Sequence, residues 1–309
     1  MSLVLAVTTS CSDDDNNQTN QTRTEILSSH VWITTKVTDN TGKSLPLVEQ
    51  PANTYVGYAY YKADGTFRII DFKDQPKMFG KWSLTDNETK RFLQVYKSTN
   101  ELAYERSVDL LTVNDQVFTY RIYPSATDKD LYYDVEHKPV TDHPEPKTPA
   151  EVLASVSWKT TNVYDITAFY EGSVVSTAAS NPIDPSAIKE AELLAAKLQP
   201  LNNAETPASN YAGDAYYTLS QKGYFPKNKD DKYSNGEFKI TPFDQLTPIR
   251  SQGDWYVSLD GKLRTLYAKD NDGKIIWQRV VSIHQLSSDI FTYDIVHEKQ
   301  VLRVEHVKK

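Results

Sequence analysis

Two pairs of arginines stand where the sequence predicts an apolar strand face. Arg106 and Arg279 alternate with apolar residues in two similar segments. On the predicted strand before each of these segments, Arg91 or Arg264 shares a face with a leucine two residues later. A guanidinium buried on such a face needs an anion or several hydrogen-bond acceptors. These arginines are therefore candidates either for capping the core or for binding a ligand.

In the structural interpretation, each arginine stacks over a tryptophan and bonds backbone carbonyls, with Glu136 and Glu305 as further possible acceptors. In the functional interpretation, the arginines line a cavity together with Tyr60 and Tyr216 and hold an anionic or aromatic ligand. Buried charges are usually paired inside a protein, which favours the structural interpretation.

Sequence motifs of known catalytic chemistry do not occur in this chain. It contains no His-Glu-x-x-His, no Gly-x-Ser-x-Gly and no phosphate-binding glycine loop. His137 and His306 each follow a glutamate, but neighbours on a strand point to opposite faces and cannot hold one metal ion together. We therefore expect no enzyme, no metal site and no cofactor.

The single cysteine, Cys11, ends a short apolar segment that turns to small residues at positions 8–10. This pattern resembles the end of a lipoprotein signal peptide, in which the cysteine is acylated. The acidic cluster at residues 13–15 resembles the surface-export signal of Bacteroidota lipoproteins. We therefore expect residues 1–23 to be an export signal and acidic tether, and a lipid anchor to hold the protein in the cell envelope, exposed on the outer membrane.

Composition narrows the classes of protein that the rest of the chain could form. The 309 residues include 20 Tyr, 10 Phe and 5 Trp, which favour strands. The net charge of −7 argues against a nucleic-acid partner, which requires a basic surface. No apolar run reaches the roughly 18 residues of a membrane-spanning helix.

The chain contains an internal repeat. Residues 25–39 match residues 151–165 with 8 of 15 identical, and both segments carry the motif Leu-x-Ser-x-x-Trp or a close variant. Further matches are Gly-x-Ala-Tyr-Tyr at 57–61 and 213–217 with one substitution, Gly-x-Trp at 80–82 and 253–255, Phe-Thr-Tyr at 118–120 and 291–293, and Val-Glu-His at 135–137 and 304–306. We therefore expect two domains, at 24–138 and 149–309, joined by a proline-rich linker at 139–148.

Alternation predicts eight strands in the first repeat, at about 31–39, 55–62, 66–72, 79–84, 91–96, 102–111, 116–123 and 131–137. The short turns between them imply antiparallel neighbours. The predicted fold is all-β, with two tandem eight-stranded up-and-down barrels, and a β-sandwich is the alternative.

The second repeat has insertions at about 166–212 and 218–235. The first insertion contains a helix signal, with Asp184 as cap, Pro185 in the first turn and an end at Pro200. Its predicted apolar stripe is formed by Ile188, Ala191, Leu194, Ala195 and Leu198. Such a helix packs on the outside of the barrel or forms a lid over its mouth.

The framework tryptophans, Trp32, Trp82, Trp158 and Trp255, complete a motif set that resembles two known groups. A leucine, a tryptophan on the first strand and eight strands in sequence resemble the lipocalin superfamily, and this resemblance implies that Arg106 or Arg279 caps the first-strand tryptophan. More narrowly, the motifs from Thr24 to His306 resemble a bacterial family known as domain of unknown function 4822, which has no established activity.

From these features we expect a non-enzymatic envelope lipoprotein. Each barrel would bind a small apolar or amphipathic ligand or a surface partner. The alternative is a structural or adhesive module that binds glycan or protein through its outer surface and loops, with the duplication supplying avidity.

Overall fold

The computed structural model describes residues 21–125, 127–172, 182–220 and 234–309 of the chain. They form two closed barrels, each built from eight antiparallel strands. The predicted fold class is confirmed, and the β-sandwich alternative is wrong. Cys11 and most of the insertion at 218–235 lie outside the described residues.

The first barrel contains all eight strands that alternation predicted, with bounds that shift by a few residues. They are β1 (Val31–Asp39), β2 (Tyr58–Tyr61), β3 (Thr66–Ile70), β4 (Pro76–Thr85), β5 (Lys90–Tyr96), β6 (Leu102–Asn114), β7 (Val117–Ile122) and β8 (Tyr133–Val140). Consecutive strands pair with each other, and β8 pairs with β1 to close the barrel. Closure leaves no strand edge open to other chains.

The second barrel repeats this order. Its strands are β9 (Trp158–Asp165), β10 (Asp214–Tyr217), β11 (Gly236–Thr241), β12 (Ser251–Val257), β13 (Leu263–Lys269), β14 (Ile275–Leu286), β15 (Ile290–His297) and β16 (Gln300–Lys308). Here β16 pairs with β9, and Val304 lies opposite Val163 in that pair. Both valines are fully buried in the interior, as the period-two alternation of a barrel strand requires.

A short helix precedes each barrel: α1 (Arg23–Ser29) and α2 (Pro149–Ala154). Each begins with a capping box, in which a threonine and the glutamate three residues later bond each other's backbone N–H groups. The leucine of the repeated motif, Leu27 or Leu153, lies in this helix and is fully buried. No described helix is long and apolar enough to cross a membrane.

These helices explain the spacing of the repeated Leu-x-Ser-x-x-Trp motif. The indole N–H of Trp32 donates to the carbonyl of Leu27 at 3.0 Å, and Trp158 donates to Leu153 at 2.8 Å. The helix thus supplies the acceptor that a buried indole requires, and it covers the end of the barrel at which the first strand begins.

The predicted helix in the insertion is shorter than expected and uses a different face. Asp184 caps a 3₁₀ turn at Pro185–Ala187, and the α-helix α3 occupies only Glu190–Ala195. Ile188 is extended and forms a β-bridge with Tyr170, so the helix starts after it. Consequently Leu193 is buried, and Leu194 is 78% exposed.

The buried face of α3 packs on the outer surface of the second barrel. Leu193 clusters there with Ile166, Ile183, Ile188 and Val301. Val301 precedes the inward-facing Leu302 on β16 and therefore points outward. The interpretation of this helix as packed on the outside is supported, and the lid interpretation is not.

The segment between the barrels is short, and the barrels meet beside it. Strand β8 extends to Val140, so the linker starts two residues later than expected. Across the junction, Tyr256 of the second barrel donates to the side chain of Asn100 at 2.8 Å, and Phe79 packs with Leu259. The two barrels therefore contact each other directly.

Candidate functional site

The deeply buried arginines are Arg91 and Arg264, each 3% exposed inside its barrel. Arg264 donates through Nη1 to the hydroxyl of Tyr217 at 2.6 Å, and Arg91 donates in the same way to Tyr61. Burial raises the pKa of both tyrosine hydroxyls, that of Tyr61 to about 12. Both hydroxyls are therefore neutral and supply no negative charge to the arginines.

Aromatic faces provide the other contacts of these guanidinium groups. The central carbon of Arg91 lies 4.1 Å from the ring centre of Tyr120, and that of Arg264 lies 4.4 Å from the ring centre of Tyr293. Each also lies over the phenylalanine two residues earlier, at 5.4 and 5.1 Å. A cation over a desolvated ring gains about 2 kcal/mol, less than burying the charge costs.

A histidine completes each group. His137 and His306 are both 4% exposed, and their rings stack on Tyr120 and Tyr293 at 5.5 and 5.4 Å between centres. Burial, reinforced by the neighbouring arginine, lowers the pKa of each histidine to about 3, so both are neutral. We call these groups the interior clusters: Arg91, Tyr61, Tyr120 and His137 in the first barrel, and Arg264, Tyr217, Tyr293 and His306 in the second.

The glutamates that precede these histidines face outward, as alternation predicted. Glu136 accepts from the hydroxyl of Thr35 at 2.9 Å, and Glu305 accepts from the side-chain amide of Asn162 at 3.0 Å. They are not acceptors for the interior arginines. The first sequence-based choice of anionic partner is therefore wrong.

Arg106 and Arg279 are only half-buried and do not cap the first-strand tryptophans. Arg106 lies over Tyr104 at 5.5 Å, and Arg279 lies over Trp277 at 4.9 Å. Arg279 lies on β14 opposite Leu266 of β13. Leu266 is the next inward-facing residue after the deeply buried Arg264 on β13. The capping that the lipocalin resemblance implies is therefore not present.

Tyr60 and Tyr216 do not line the barrel interiors. Ala59 and Tyr61 face inward on β2, so the residue between them faces outward. The hydroxyl of Tyr60 bonds Nδ1 of His143 in the linker at 2.5 Å. The tyrosines that face the interior are Tyr61 and Tyr217. In the sequence, an inward-facing alanine two residues earlier indicates the inward position of each.

The linker is pinned on the same outer surface. The ring of His143 stacks on Tyr58 at 3.6 Å, and its Nε2 lies 3.2 Å from Asp74. Arg68, 4% exposed, donates to Glu145 at 2.8 Å. These bonds fix the linker to the first barrel.

A comparison with known families agrees with this geometry. Residues 24–148 match the family model described as domain of unknown function (DUF4822). The first barrel is similar to this family. The match covers that barrel and its linker, and the second barrel shares the topology and the interior cluster. No curated protein gives a significant match to the chain.

The second barrel retains a small interior cavity that the repeated residues line. Its volume is about 30 Å³, and Arg264, Arg279, Tyr217, Tyr293 and His306 are among the residues around it. Pockets for drug-sized ligands measure about 300–1,000 Å³. Both arginines of the functional interpretation thus reach one cavity, but this cavity has no room for a ligand of that size.

A group of possible metal ligands lies outside this barrel. Glu190, His284 and Asp294 place one ligand atom each within 4.8 Å of one another. Arg303 donates to both carboxylates, at 2.6–3.0 Å, and holds the pKa of Glu190 below its usual value. These groups form an ion-pair cluster that ties α3 to the barrel, because the guanidinium already occupies the carboxylate oxygens.

The two repeats differ most on their outer surfaces. Beside α3, a groove of about 190 Å³ runs between the helix and strands β9 and β16, with Leu194 and Lys197 on its rim and Tyr164 and Ile166 at its base. This groove exists because of the insertion, which the first barrel does not have. It is the clearest structural difference between the repeats in the described residues.

Replacing Tyr217 by phenylalanine tests the interior cluster. The Tyr217→Phe variant leaves the buried Arg264 without its hydroxyl partner, and we expect a loss of about 1–3 kcal/mol in the free energy of unfolding. Urea unfolding followed by tryptophan fluorescence measures it. The control is Tyr267→Phe on the outer face of β13, with an expected change within about 0.5 kcal/mol. Equal effects of the two substitutions would contradict the assignment.

The interior histidines predict a loss of stability in acid. The folded pKa of His306 is about 3 and the reference value is 6.5, so below pH 6.5 the unfolded chain takes up a proton that the folded chain does not. The free energy of unfolding should fall by about 2 kcal/mol per histidine between pH 7.5 and 5.0.

The histidine effect is isolated by comparing variants at both pH values. His306→Gln should reduce the fall in the free energy of unfolding between pH 7.5 and 5.0 by about 2 kcal/mol, the contribution of one histidine. An unchanged pH dependence in His306→Gln would show that this histidine is not held neutral.

Proposed function

We propose that this protein is a non-enzymatic lipoprotein of the bacterial cell envelope that binds a protein or glycan partner through the outer surface and loops of its barrels. In this proposal Cys11 carries the lipid anchor, and the barrels are exposed on the outer membrane of a Bacteroidota-like bacterium. The barrels serve as rigid supports rather than as containers.

The packing of the barrel interiors carries this proposal. In the first barrel, 18 buried hydrophobic residues form one cluster, and they include five aromatic rings besides those of the interior cluster. In the second barrel, 20 buried hydrophobic residues form one cluster and leave the cavity of about 30 Å³. An apolar or amphipathic molecule of ordinary size does not fit there, which favours the surface over the interior as the binding region.

The contrast between shared interior and differing exterior supports the same proposal. The interior clusters recur with the same residue types in both repeats, as expected of residues that maintain the fold. The second repeat adds α3 and its groove, where Leu194 is 78% exposed. Binding residues are found disproportionately on loops that a rigid scaffold positions, so the second barrel is the favoured binding domain.

An adhesive role in which both barrels bind together is the second candidate. The pinned linker and the contact between Tyr256 and Asn100 favour it, because they hold two related surfaces in one arrangement. Two sites held at fixed separation gain avidity only if one target spans both. Deletion of either barrel should then remove surface binding, whereas a site confined to the second barrel survives loss of the first.

The anchor is tested by labelling cells with radioactive palmitate. The wild-type chain should incorporate label and fractionate with the membranes, and Cys11→Ser should do neither. The control is Ser12→Ala, which leaves the thiol in place and should be labelled normally. Equal labelling of Cys11→Ser and wild type would overturn the proposed anchor.

The choice between interior and surface binding is tested with the neutral apolar probe N-phenyl-1-naphthylamine. We expect no stoichiometric binding to the folded chain, because the described interior has no room for the naphthalene ring. A saturable fluorescence increase at one probe per barrel, reversed by a long-chain fatty acid, would contradict the surface proposal and restore small-ligand binding.

A further inference from the structure

The interior of the second barrel holds a buried arginine that has no carboxylate partner among the described residues. Arg264 is 97% buried, since its exposure is 3%, and its hydrogen-bond partner is the neutral hydroxyl of Tyr217. Its Nε atom is buried and has no partner among the described residues. Arg279 borders the same cavity and contributes a second guanidinium.

The carboxylates near the cavity bond other partners than the interior arginines. Asp294 accepts two hydrogen bonds from Arg303, and Glu305 accepts from Asn162. Asp214 also borders the cavity and is fully buried. Its Oδ2 accepts from Lys309 and from the backbone N–H of Asp244, and its Oδ1 has no partner among the described residues. Among the described residues, Arg264 and Arg279 have aromatic and hydroxyl neighbours, and no carboxylate is hydrogen-bonded to either of them.

Burying a charge in this way is costly. The penalty for moving an ion from water into a protein interior is several kcal/mol, and a single neutral hydrogen bond with ring contacts compensates only part of it. His306 beside Arg264 is uncharged and offers no compensation. A mobile counter-ion in the cavity would compensate this penalty. The ion would accept a hydrogen bond from the unused Nε–H of Arg264.

The cavity size limits which anion it can hold. A water molecule requires roughly 10–15 Å³ of this kind of volume, so about 30 Å³ accommodates a single-atom anion or two waters. The hydroxyl of Tyr217 accepts a hydrogen bond from Arg264, which leaves its own hydrogen free to be donated. The donors are thus two guanidinium groups and a hydroxyl around a space of the size of a halide ion.

We propose that the second barrel binds one small monovalent inorganic anion, of the size and charge of chloride, between Arg264 and Arg279. The ion neutralises the buried charge and bonds the Nε–H of Arg264 and the hydroxyl of Tyr217. It is a structural ion of the barrel, separate from any partner bound on the outer surface.

The experiment measures the ³⁵Cl NMR linewidth of sodium chloride in the presence of the full chain. Binding to the protein should broaden the signal, and addition of bromide should reverse the broadening competitively. Arg279→Gln removes one of the two charges at a half-buried position, so the barrel should still fold, as circular dichroism will check. Chloride affinity at this site should fall at least tenfold in this variant.

A matched control separates the site from general surface charge. Lys274→Gln also removes one positive charge from the second barrel, but at an exposed turn, and should leave the broadening unchanged. If wild type shows no saturable broadening, or if Arg279→Gln and Lys274→Gln behave alike, the cavity holds water only and the proposal is overturned. Neither result depends on the lipid anchor or on partner binding.

Discussion

Burial of one arginine inside each barrel is the constraint around which the interior is arranged. A guanidinium at 3% exposure needs acceptors and polarisable faces around it, and in the second barrel Tyr217, Tyr293 and Phe291 supply them. Those rings in turn fill the barrel and place the histidine in surroundings where it stays neutral. A purely aliphatic interior would satisfy the hydrophobic effect equally well but would not require this particular set of residues.

The fold could be predicted from the sequence because strands such as β5 and β7 alternate between buried and partly exposed residues. One buried face with a period of two fixes which residues point inward, and the repeat supplied the same information twice. Where this rule was applied to a single residue without its neighbours, the prediction failed. Tyr60 was chosen as interior, although Ala59 and Tyr61 mark the inward positions on either side of it.

The interior clusters could not be predicted because their members come from strands that are distant in sequence. Arg91 lies on β5 and His137 on β8, and only closure of the barrel brings their side chains to one place. The prediction of a longer helix in the insertion was wrong for a different reason. Asp184 and Pro185 are sound helix-start signals, but pairing of Ile188 with Tyr170 limits them to a 3₁₀ turn. Tertiary contacts outweighed local propensity there.

The pinned linker has a mechanical consequence. A free proline-rich segment would let the second barrel swing and would take up the first part of any pull as slack. Because His143 and Glu145 hold the linker against the first barrel, and Asn100 accepts a hydrogen bond from Tyr256 of the second, a direct contact joins the described barrels in addition to the linker. A force applied to the second barrel therefore reaches the first barrel through this contact as well as through the backbone of the linker.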